Sequence, residues 1–274
     1  MKKILILGKK SFVGSYIHQN LKHETRKISF EEFKKKRVNY LKNFDYIINC
    51  TSNLDFIKKK YNQKNDYDLN VSKKIQNLIC KQIFLSTRKV YKVSPNIKEK
   101  SKIAPKCNYS KNKFISEKKV KDIMRDKVLI LRISNLLGFD ENLTKRKLHL
   151  NFIDYYLDNI KKGILFKNPK IYKDFLPISI FVKILNSLIK KDCYGVYNVS
   201  FGNKIFLDKL LNWLNYYNTK SFKRFSFKKN KNNENQDCFF LNNDKLKKEI
   251  DIKMSYKILE IECKKISRKI FNEK

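Results

Sequence analysis

Glycine, proline and tryptophan are scarce in this chain of 274 residues, which contains 6 glycines, 4 prolines and 1 tryptophan. This scarcity excludes collagen-like and Pro/Gly-rich low-complexity architectures. Hydrophobic residues make up 42% of the sequence, a share that is typical of a globular protein and argues against disorder. The length is sufficient for one large domain or for a main domain that carries a small lobe.

Long hydrophobic runs are also missing. The sequence has no window of 18 consecutive apolar residues, so we predict no membrane-spanning helix. The first seven residues resemble the start of a signal peptide, but the apolar run is too short, and Lys9 and Lys10 interrupt it. We therefore expect a cytoplasmic protein that does not associate with a membrane.

The cysteines and histidines show no metal-binding pattern. The three histidines have no ligand spacing with one another or with a cysteine, and no Cys-x-x-Cys pair occurs. We expect no metal site and six reduced thiols, as in a cytoplasmic protein. The widely spaced cysteines are Cys50, Cys80, Cys107, Cys193, Cys238 and Cys263.

Acidic residues are too few to balance the basic ones, and the formal net charge is +37. Such a charge normally indicates a nucleic-acid or membrane ligand. However, 55 of the 63 basic residues are lysines, and they are spread along the whole chain. The abundance of Lys, Asn, Ile, Phe and Tyr is what A/T-rich codons produce. Compositional bias explains the charge about as well as a ligand does. A nucleic-acid-binding protein is therefore the less favoured alternative, and we expect no specific nucleic-acid partner.

Short apolar segments rich in β-branched residues alternate with helical patterns. We predict strands over 4–7, 26–30, 45–50, 82–85 and 128–131, and helices over about 12–21 and 66–80. This alternation predicts an α/β fold with a doubly wound parallel sheet. Beyond Gly138 we predict helices over 148–161, 180–190, 207–217, 244–250 and 256–271, and a strand over 196–200.

Gly8 and Gly14 flank the turn between the first strand and the first helix. In such a turn, backbone amides and the helix dipole face a bound phosphate. Gly8 would permit a tight turn, and Gly14 would let the helix pack closely on the sheet. Ser11 stands where the usual fingerprint has a middle glycine, although a serine can cap the helix. By itself, the turn fits either a dinucleotide site or an ordinary strand–turn–helix connection.

The end of the second predicted strand bears on the choice of dinucleotide. NAD-binding proteins carry an acidic residue there for the adenosine ribose, whereas this chain has Ser29 and Phe30. Three lysines and an arginine follow at 34–37. The missing carboxylate and the nearby cations favour NADP slightly over NAD.

Tyr109 and Lys113 are four residues apart in a predicted helix, so they lie one turn apart on the same face. The ammonium would stabilise the phenolate, lower the pKa of the tyrosine and make the phenol a proton donor near neutral pH. With 15 tyrosines and many lysines, the pair also fits an ordinary solvated helix face. Its meaning depends on the surrounding sequence.

Eight short motifs supply that context. In order they are Gly8…Phe12-Val13-Gly14, Ile47-Ile48-Asn49-Cys50-Thr51-Ser52, Leu69-Asn70-Val71, Phe84-Leu85-Ser86-Thr87 with Val90-Tyr91, Pro105…Tyr109-x-x-x-Lys113…Glu117, Leu131-Arg132-Ile133-Ser134-Asn135-Leu136-Leu137-Gly138, Lys173-Asp174-Phe175 and Gly195-Val196-Tyr197-Asn198-Val199. With these motifs, the chain resembles the NAD-dependent epimerase/dehydratase family of the extended short-chain dehydrogenase/reductases, which act on nucleotide sugars. The resemblance covers roughly residues 3–250.

The resemblance implies a Rossmann-like doubly wound parallel sheet with a small C-terminal substrate-binding lobe. The dinucleotide-binding domain would comprise residues 1–138 and returning segments near 172–200. The lobe would comprise residues 139–171 and 201–274. A homodimer is a further candidate arrangement that the resemblance suggests.

The resemblance also implies roles for individual residues. Tyr109 would exchange a proton with a sugar hydroxyl or carbonyl, Lys113 would contact the nicotinamide ribose, and Thr87 would hydrogen-bond the same substrate oxygen as Tyr109. Asn135 would approach the nucleotide-sugar substrate together with Thr87. The residues expected at an NAD(P) cofactor are Gly8, Ser11, Phe12, Val13, Gly14, Cys50, Thr51, Asn70, Tyr109 and Lys113.

The reaction most similar in outline is that of the nucleotide-sugar 4-keto reductases or of a small 4-epimerase, in surface-polysaccharide synthesis. A 4,6-dehydratase would carry an acidic pair directly after the threonine, whereas Arg88 and Lys89 follow Thr87 here. A non-catalytic dinucleotide-binding relative remains the alternative. The joint presence of Thr87, Tyr109 and Lys113 argues against it.

Overall fold

The structure, a computed structural model, describes residues 1–139, 151–166, 170–219, 226–228 and 238–271, with backbone only for 164–166 and 226–228. Strands and helices alternate through its first half. The elements are β1 (Lys3–Leu7), α1 (Phe12–Asn20), β2 (Glu24–Ile28), α2 (Phe30–Lys35), α3 (Val38–Leu41), β3 (Tyr46–Asn49), α4 (Leu54–Lys58), α5 (Tyr67–Ile75), β4 (Lys81–Thr87), β5 (Asn96–Ile97), α6 (Asn108–Met124) and β6 (Val128–Ile133).

The second half contains shorter strands and four longer helices, α7, α8, α9 and α11. The elements are β7 (Asn135–Leu137), α7 (Phe152–Lys161), β8 (Ile164–Phe166), β9 (Tyr172–Lys173), β10 (Phe175–Pro177), α8 (Ile178–Lys190), β11 (Gly195–Val199), β12 (Ile205–Phe206), α9 (Leu207–Leu214), β13 (Ser226–Lys228), β14 (Phe240–Leu241), α10 (Asp244–Glu249) and α11 (Tyr256–Phe271). The first residues of the helix predicted over 148–161, residues 148–150, lie outside the described residues.

The main sheet has six strands in the order β11-β6-β4-β3-β1-β2, and all neighbouring strands are parallel. The predicted fold class is therefore confirmed. The order reverses direction between β1 and β3, where Leu7 lies opposite Asn49. In open α/β sheets, ligands bind outside the carboxyl ends of the strands at such a reversal.

Both faces of this sheet are covered, because successive side chains of a strand point to opposite faces. Ile4 and Ile6 of β1 pack with Ile17 of α1 and Phe181 of α8 in one hydrophobic cluster. On the other face, the alternate β1 side chains pack with α5 and α6 in a second cluster that includes Leu5, Leu7, Val71 and Val120. Helices on both faces position the carboxyl ends of the strands as one open edge.

The second strand differs from the prediction. It spans Glu24–Ile28, not 26–30, because a helix begins at Phe30. Ser29 and Glu32 form a capping box, in which the Ser29 hydroxyl accepts from the Glu32 amide and the Glu32 carboxylate accepts from the Ser29 amide. This reciprocal capping satisfies two backbone donors and fixes the start of α2.

The helix predicted over 66–80 is also shorter and ends at Ile75. The chain then turns within a few residues to enter β4 at Lys81. Lys127 stabilises this turn, since its ammonium donates to the carbonyls of Gln76 and Leu78 at 2.5 and 3.0 Å. The helix predicted over 207–217 likewise stops early, at Leu214.

A separate hydrophobic cluster holds together several helices of the second half of the chain. Side chains of α7, α9 and α11 pack there with β7 and β10, including Tyr156, Trp213 and Leu259. Leu246 and Ile250, which the predicted division assigns to the lobe, pack instead with the core of the main sheet. The exact division into two domains remains a prediction.

Candidate active site

The turn between β1 and α1 packs tightly against the segment that follows β3. Gly8 has φ +122°, and a Cβ atom there would lie 3.0 Å from the Ser11 Cβ and 3.3 Å from the Cys50 carbonyl carbon. A Cβ atom on Gly14 would lie 3.1 Å from the Cys50 Cβ. Only glycine fits these positions without displacement. The absent Cβ atoms let the turn pack directly on the segment that follows β3 at the switch point of the sheet.

Ser11 takes the place of the middle glycine and caps α1. Its hydroxyl accepts a hydrogen bond from the Gly14 amide at 3.2 Å. The predicted capping role is therefore confirmed. The ring of Phe12, the next residue, packs against Gly138, where a Cβ atom would lie 2.6 Å from the Phe12 Cζ. Phe12 and the half-buried Val13 border the core of the main sheet.

Lys113 is buried at the same end of the sheet, on α6. Its ammonium lies 2.8 Å from the Oδ2 of Asp68 on α5, and both side chains are almost fully buried, at 6% and 4% exposure. The other carboxylate oxygen, Oδ1, accepts from the side-chain amide of Asn49 at 3.0 Å. Asp68 therefore links the carboxyl end of β3 to the predicted catalytic lysine.

Asp68 is absent from the site residues predicted from the sequence. A signal was present, because Asp68 shares a helix face with Val71 and Ile75, which are core positions of α5. A carboxylate on an apolar helix face needs a buried partner, since an unpaired buried charge is costly. That partner is Lys113, which is 45 positions away in the sequence.

Tyr109 is the second residue of α6, one turn before Lys113, and is half-buried. Burial raises the pKa of its phenol, Lys113 lowers it, and Asp68 and Cys107 raise it. Lys113 therefore acts on this pKa in the predicted direction, but burial outweighs it and the net shift is upward. The phenol is therefore protonated at neutral pH, which is the form that donates a proton.

Thr87 ends β4, and its hydroxyl accepts from the Lys89 amide at 3.3 Å. Thr87 therefore caps the 3₁₀ turn Arg88–Val90 that follows β4. The guanidinium of Arg88 lies over the ring of Phe239, 3.7 Å from the centroid. The structure thus gives Thr87 a local capping contact, and its catalytic role remains a prediction.

The other predicted ligand-binding residues differ in their exposure and in their hydrogen bonds. Thr51 follows β3, and its amide donates to the Asn49 side chain at 3.1 Å. Asn70 is half-exposed on α5. The side-chain amide of Asn135 donates to the backbone carbonyl of Asp174 at 2.9 Å, where β7 pairs with β10. Cofactor contacts of Thr51 and Asn70 and a substrate contact of Asn135 remain predictions.

Several residues of the recognised motifs form a buried polar network behind Thr87. Arg132 donates through Nε to both Glu117 oxygens at 3.1 and 3.2 Å, and Ser86 donates to the same carboxylate at 2.9 Å. Arg132 also donates to Tyr91, which in turn donates to Asn198, each at 2.8 Å. The network joins β4, α6, β6 and β11 and fixes α6 against the sheet. These motif residues have a structural role.

The described part of the chain lacks two further kinds of feature. No helix there is long and apolar enough to cross a membrane. Within the same residues, no group of three or more His, Cys, Asp and Glu side chains is placed to hold a metal ion.

Comparison with known proteins shows which solved structures share this fold. No family model matches the sequence, and no curated protein matches it. Many solved structures match the fold. One is a UDP-N-acetylglucosamine 4-epimerase from Methanobrevibacter ruminantium in complex with UDP-N-acetylmuramic acid, with 17% identity and a TM-score of 0.78 over 100% of this chain and 99% of that chain.

Two further neighbours come from Bacillus anthracis. A dTDP-4-dehydrorhamnose reductase in complex with NADP has 16% identity and a TM-score of 0.73, with 100% of both chains covered. A dTDP-glucose 4,6-dehydratase in complex with NAD has 17% identity and a TM-score of 0.71, with 98% of this chain and 96% of that chain covered.

These neighbours confirm the resemblance at the level of the fold. The chain has the Rossmann-like fold shared by epimerases, reductases and dehydratases of nucleotide sugars, including the 4-keto reductase to which the motifs point. The likeness extends over almost the whole length of each chain.

Proposed function

We propose that the chain is an NAD(P)-dependent oxidoreductase or epimerase of a nucleotide-activated sugar. The observation that carries this proposal is the position of Lys113. Its buried ammonium lies at the carboxyl ends of the central strands, one helical turn after Tyr109. Lys113 is also close enough to Cys50 to lower the pKa of its thiol, which burial and Asp68 raise. Cys50 in turn contacts the glycine turn.

A nicotinamide dinucleotide fits this edge of the sheet. Gly8 and Gly14 hold the turn closely against Cys50 at the N-terminus of α1, where helix amides and dipole favour a pyrophosphate. Phe12, Val13, Cys50, Thr51 and Asn70 would line the bound cofactor, and Lys113 would reach its ribose. When bound, the dinucleotide would supply or accept the hydride.

Tyr109 and Thr87 would act on the sugar. The protonated phenol of Tyr109 would donate its proton to a sugar carbonyl oxygen during reduction and accept one from a hydroxyl during oxidation. Thr87 would hydrogen-bond the same oxygen and share its developing charge. Lys113 would stabilise the phenolate that remains. Asn135 would approach the sugar from β7.

The finer assignments follow the same reasoning. A 4-keto reductase or 4-epimerase is favoured over a dehydratase, because Arg88 and Lys89 replace the acidic pair that a 4,6-dehydratase carries after the threonine. NADP is slightly favoured over NAD, because Ser29 and Phe30, and no acidic residue, directly follow β2. One neighbour binds NADP and another binds NAD, which supports either nicotinamide cofactor.

The substitution Tyr109→Phe tests this proposal. Removal of the phenolic hydroxyl takes away the proton donor but preserves the ring, so we expect turnover to fall by roughly 10² to 10⁴-fold. Turnover would be measured as oxidation of NADH or NADPH with a panel of 4-keto nucleotide sugars, and as interconversion of nucleotide-sugar 4-epimers. Binding of the dinucleotide should persist in the variant.

The matched control is Tyr155→Phe, which removes the hydroxyl of a tyrosine on α7 that is 57% exposed. This variant should turn over like the unmodified protein. Equal activity of the Tyr109→Phe variant and the control would contradict the proposed role of Tyr109. A protein that binds the dinucleotide but turns over none of the sugars would instead fit a non-catalytic relative.

A further inference from the structure

A carboxylate that the predicted catalytic residues do not include lies directly beside them. Asp68 is 3% exposed, and its two oxygens are used by two different elements. Oδ2 accepts from Lys113 of α6 at 2.8 Å, and Oδ1 accepts from Asn49 at the end of β3 at 3.0 Å. Asp68 is therefore fixed in direction as well as in position.

Besides Asp68, the ammonium of Lys113 faces two aromatic rings, whose faces attract a cation more weakly than a carboxylate does. The ammonium lies 4.7 Å from the centroid of the Phe84 ring and 5.9 Å from that of Phe56. A buried lysine without a partner loses its proton readily, because burial disfavours the charged form. Burial lowers the pKa of Lys113, but Asp68 and Tyr109 raise it, and the net shift is upward.

We propose that Asp68 is a positioning residue that acts through Lys113, holding this lysine charged and directed at the carboxyl end of β3. The inference rests on the proposed function, in which Lys113 must be an ammonium to contact the ribose and stabilise the phenolate. An ammonium has three donors, and Asp68 occupies one of them. Asn49 orients Asp68, so the chain Asn49–Asp68–Lys113 connects the switch point of the sheet to the proton donor.

Other titratable groups surround this pair. Asp66 lies at the start of α5, and Cys50 follows β3. Cys107 and Tyr109 lie at the start of α6. Asp66 has its own partners, since it accepts from Ser116 and Tyr61 at 2.9 Å each. Asp68 is the carboxylate that contacts Lys113 directly.

The variant Asp68→Asn removes the charge and nearly preserves the shape. If the proposal is correct, the first proton lost from the coupled Tyr109–Lys113 pair should leave at a lower pH, because a nearby negative charge no longer retains it. The alkaline limb of the kcat/KM profile should therefore move down by about one to three pH units. A purely structural residue would reduce activity equally at every pH and leave this limb in place, which would overturn the proposal.

A second measurement is independent of activity. Thermal unfolding would be followed from pH 6.5 to 9.5 for the unmodified protein, for Asp68→Asn and for Glu117→Gln. In the Asp68→Asn variant, Lys113 is buried without its counter-ion, so its folded pKa falls below the unfolded value and stability rises with pH. The Tm deficit of this variant should shrink as the pH rises.

Glu117→Gln is the matched control, because it also removes one buried carboxylate from an ion pair on α6. Its partner is Arg132, which stays protonated over this range, so the Tm deficit of this control should not depend on pH. A deficit of Asp68→Asn that is equally independent of pH would overturn the proposal.

The double variant Asp68→Asn/Lys113→Met covers the case in which Asp68→Asn does not fold. Recovery of folding in the double variant would support the counter-ion role, because both charges are then absent, and continued unfolding would overturn it. Failure of the proposed function is distinguishable. In that case the unmodified protein neither binds a dinucleotide nor turns over a sugar, while the pH dependence of Tm still tests the pairing of Asp68 with Lys113.

Discussion

Asp174 is a single buried residue whose side chain connects several segments of the backbone. It is fully buried, and its carboxylate accepts from the backbone amides of Phe201, Gly202 and Leu241 at 2.9, 3.0 and 3.3 Å. Burial raises its pKa and these hydrogen bonds lower it, which leaves the pKa at about 6. The carboxylate therefore joins β10 to the segments that follow β11 and precede α10.

We predict that Asp174→Asn destabilises the fold by about 1–3 kcal/mol at pH 7.5, because one amide donor then faces an NH₂ group. The folded protein keeps the Asp174 proton to a higher pH than the unfolded chain. This titration therefore stabilises the fold at low pH, and its contribution is lost as the pH rises from about 4 to about 6.

Urea unfolding at pH 4.5, 6 and 7.5 measures both effects. The gap in the free energy of unfolding between the unmodified protein and Asp174→Asn should be widest at pH 4.5 and constant above about pH 6.5. A gap that is the same at all three values would show that Asp174 does not titrate in this range.

Prediction from the sequence succeeds for contacts within one helix and fails for contacts between elements. Helical spacing correctly places Tyr109 and Lys113 on successive turns of α6. The pairing of Lys113 with Asp68 depends on how α5 and α6 pack, which spacing along one segment does not encode. The raised pKa of Tyr109 follows from burial in that same packing.

At the scale of elements, α1 depends on the cap that replaces the usual middle glycine. The Ser11 hydroxyl satisfies the Gly14 amide, one of the four amides that a helix N-terminus leaves without partners. We predict that Ser11→Ala lowers the free energy of unfolding by about 1 kcal/mol. Ser11→Gly should lower it by only a few tenths of a kcal/mol, because glycine is itself tolerated at this position.

Urea unfolding of the two variants measures this difference. Because glycine is the residue usual at this point of the turn, Ser11→Gly should also preserve dinucleotide binding. Equal stability of Ser11→Ala and the unmodified protein would show that the hydroxyl does not contribute as a cap.

Element boundaries were predicted least well where polar side chains decide them. Apolar periodicity located all six strands of the main sheet, because the central ones are buried on both faces. It placed the end of β2 two residues too late, since the Ser29–Glu32 capping box begins a helix at Phe30. The end of α5 was likewise placed too late, because the turn that Lys127 stabilises comes from a distant segment.

At the scale of the whole molecule, the fold persists despite a strong compositional bias. The chain has TM-scores of 0.78 and 0.73 to an epimerase and a reductase with which it shares only 17% and 16% of its residues. Gly8 and Gly14 remain where a Cβ atom would collide with Cys50 or Ser11. In a sequence with few glycines, those that remain therefore identify positions at which backbone geometry is restrictive.

The central claim is that the edge of the sheet at Gly8, Gly14 and Lys113 binds a nicotinamide dinucleotide. The most direct test is the Tm of the purified protein with NADPH, NADP⁺, NADH and NAD⁺, with AMP as the control ligand. A dinucleotide at about one hundred times its Kd should add about 2.7 kcal/mol of stability. This corresponds to a rise in Tm of roughly 5 °C or more for a domain of this size. We predict such a rise with at least one dinucleotide and a larger one with the NADP forms, whereas no rise with any of the four would contradict the account.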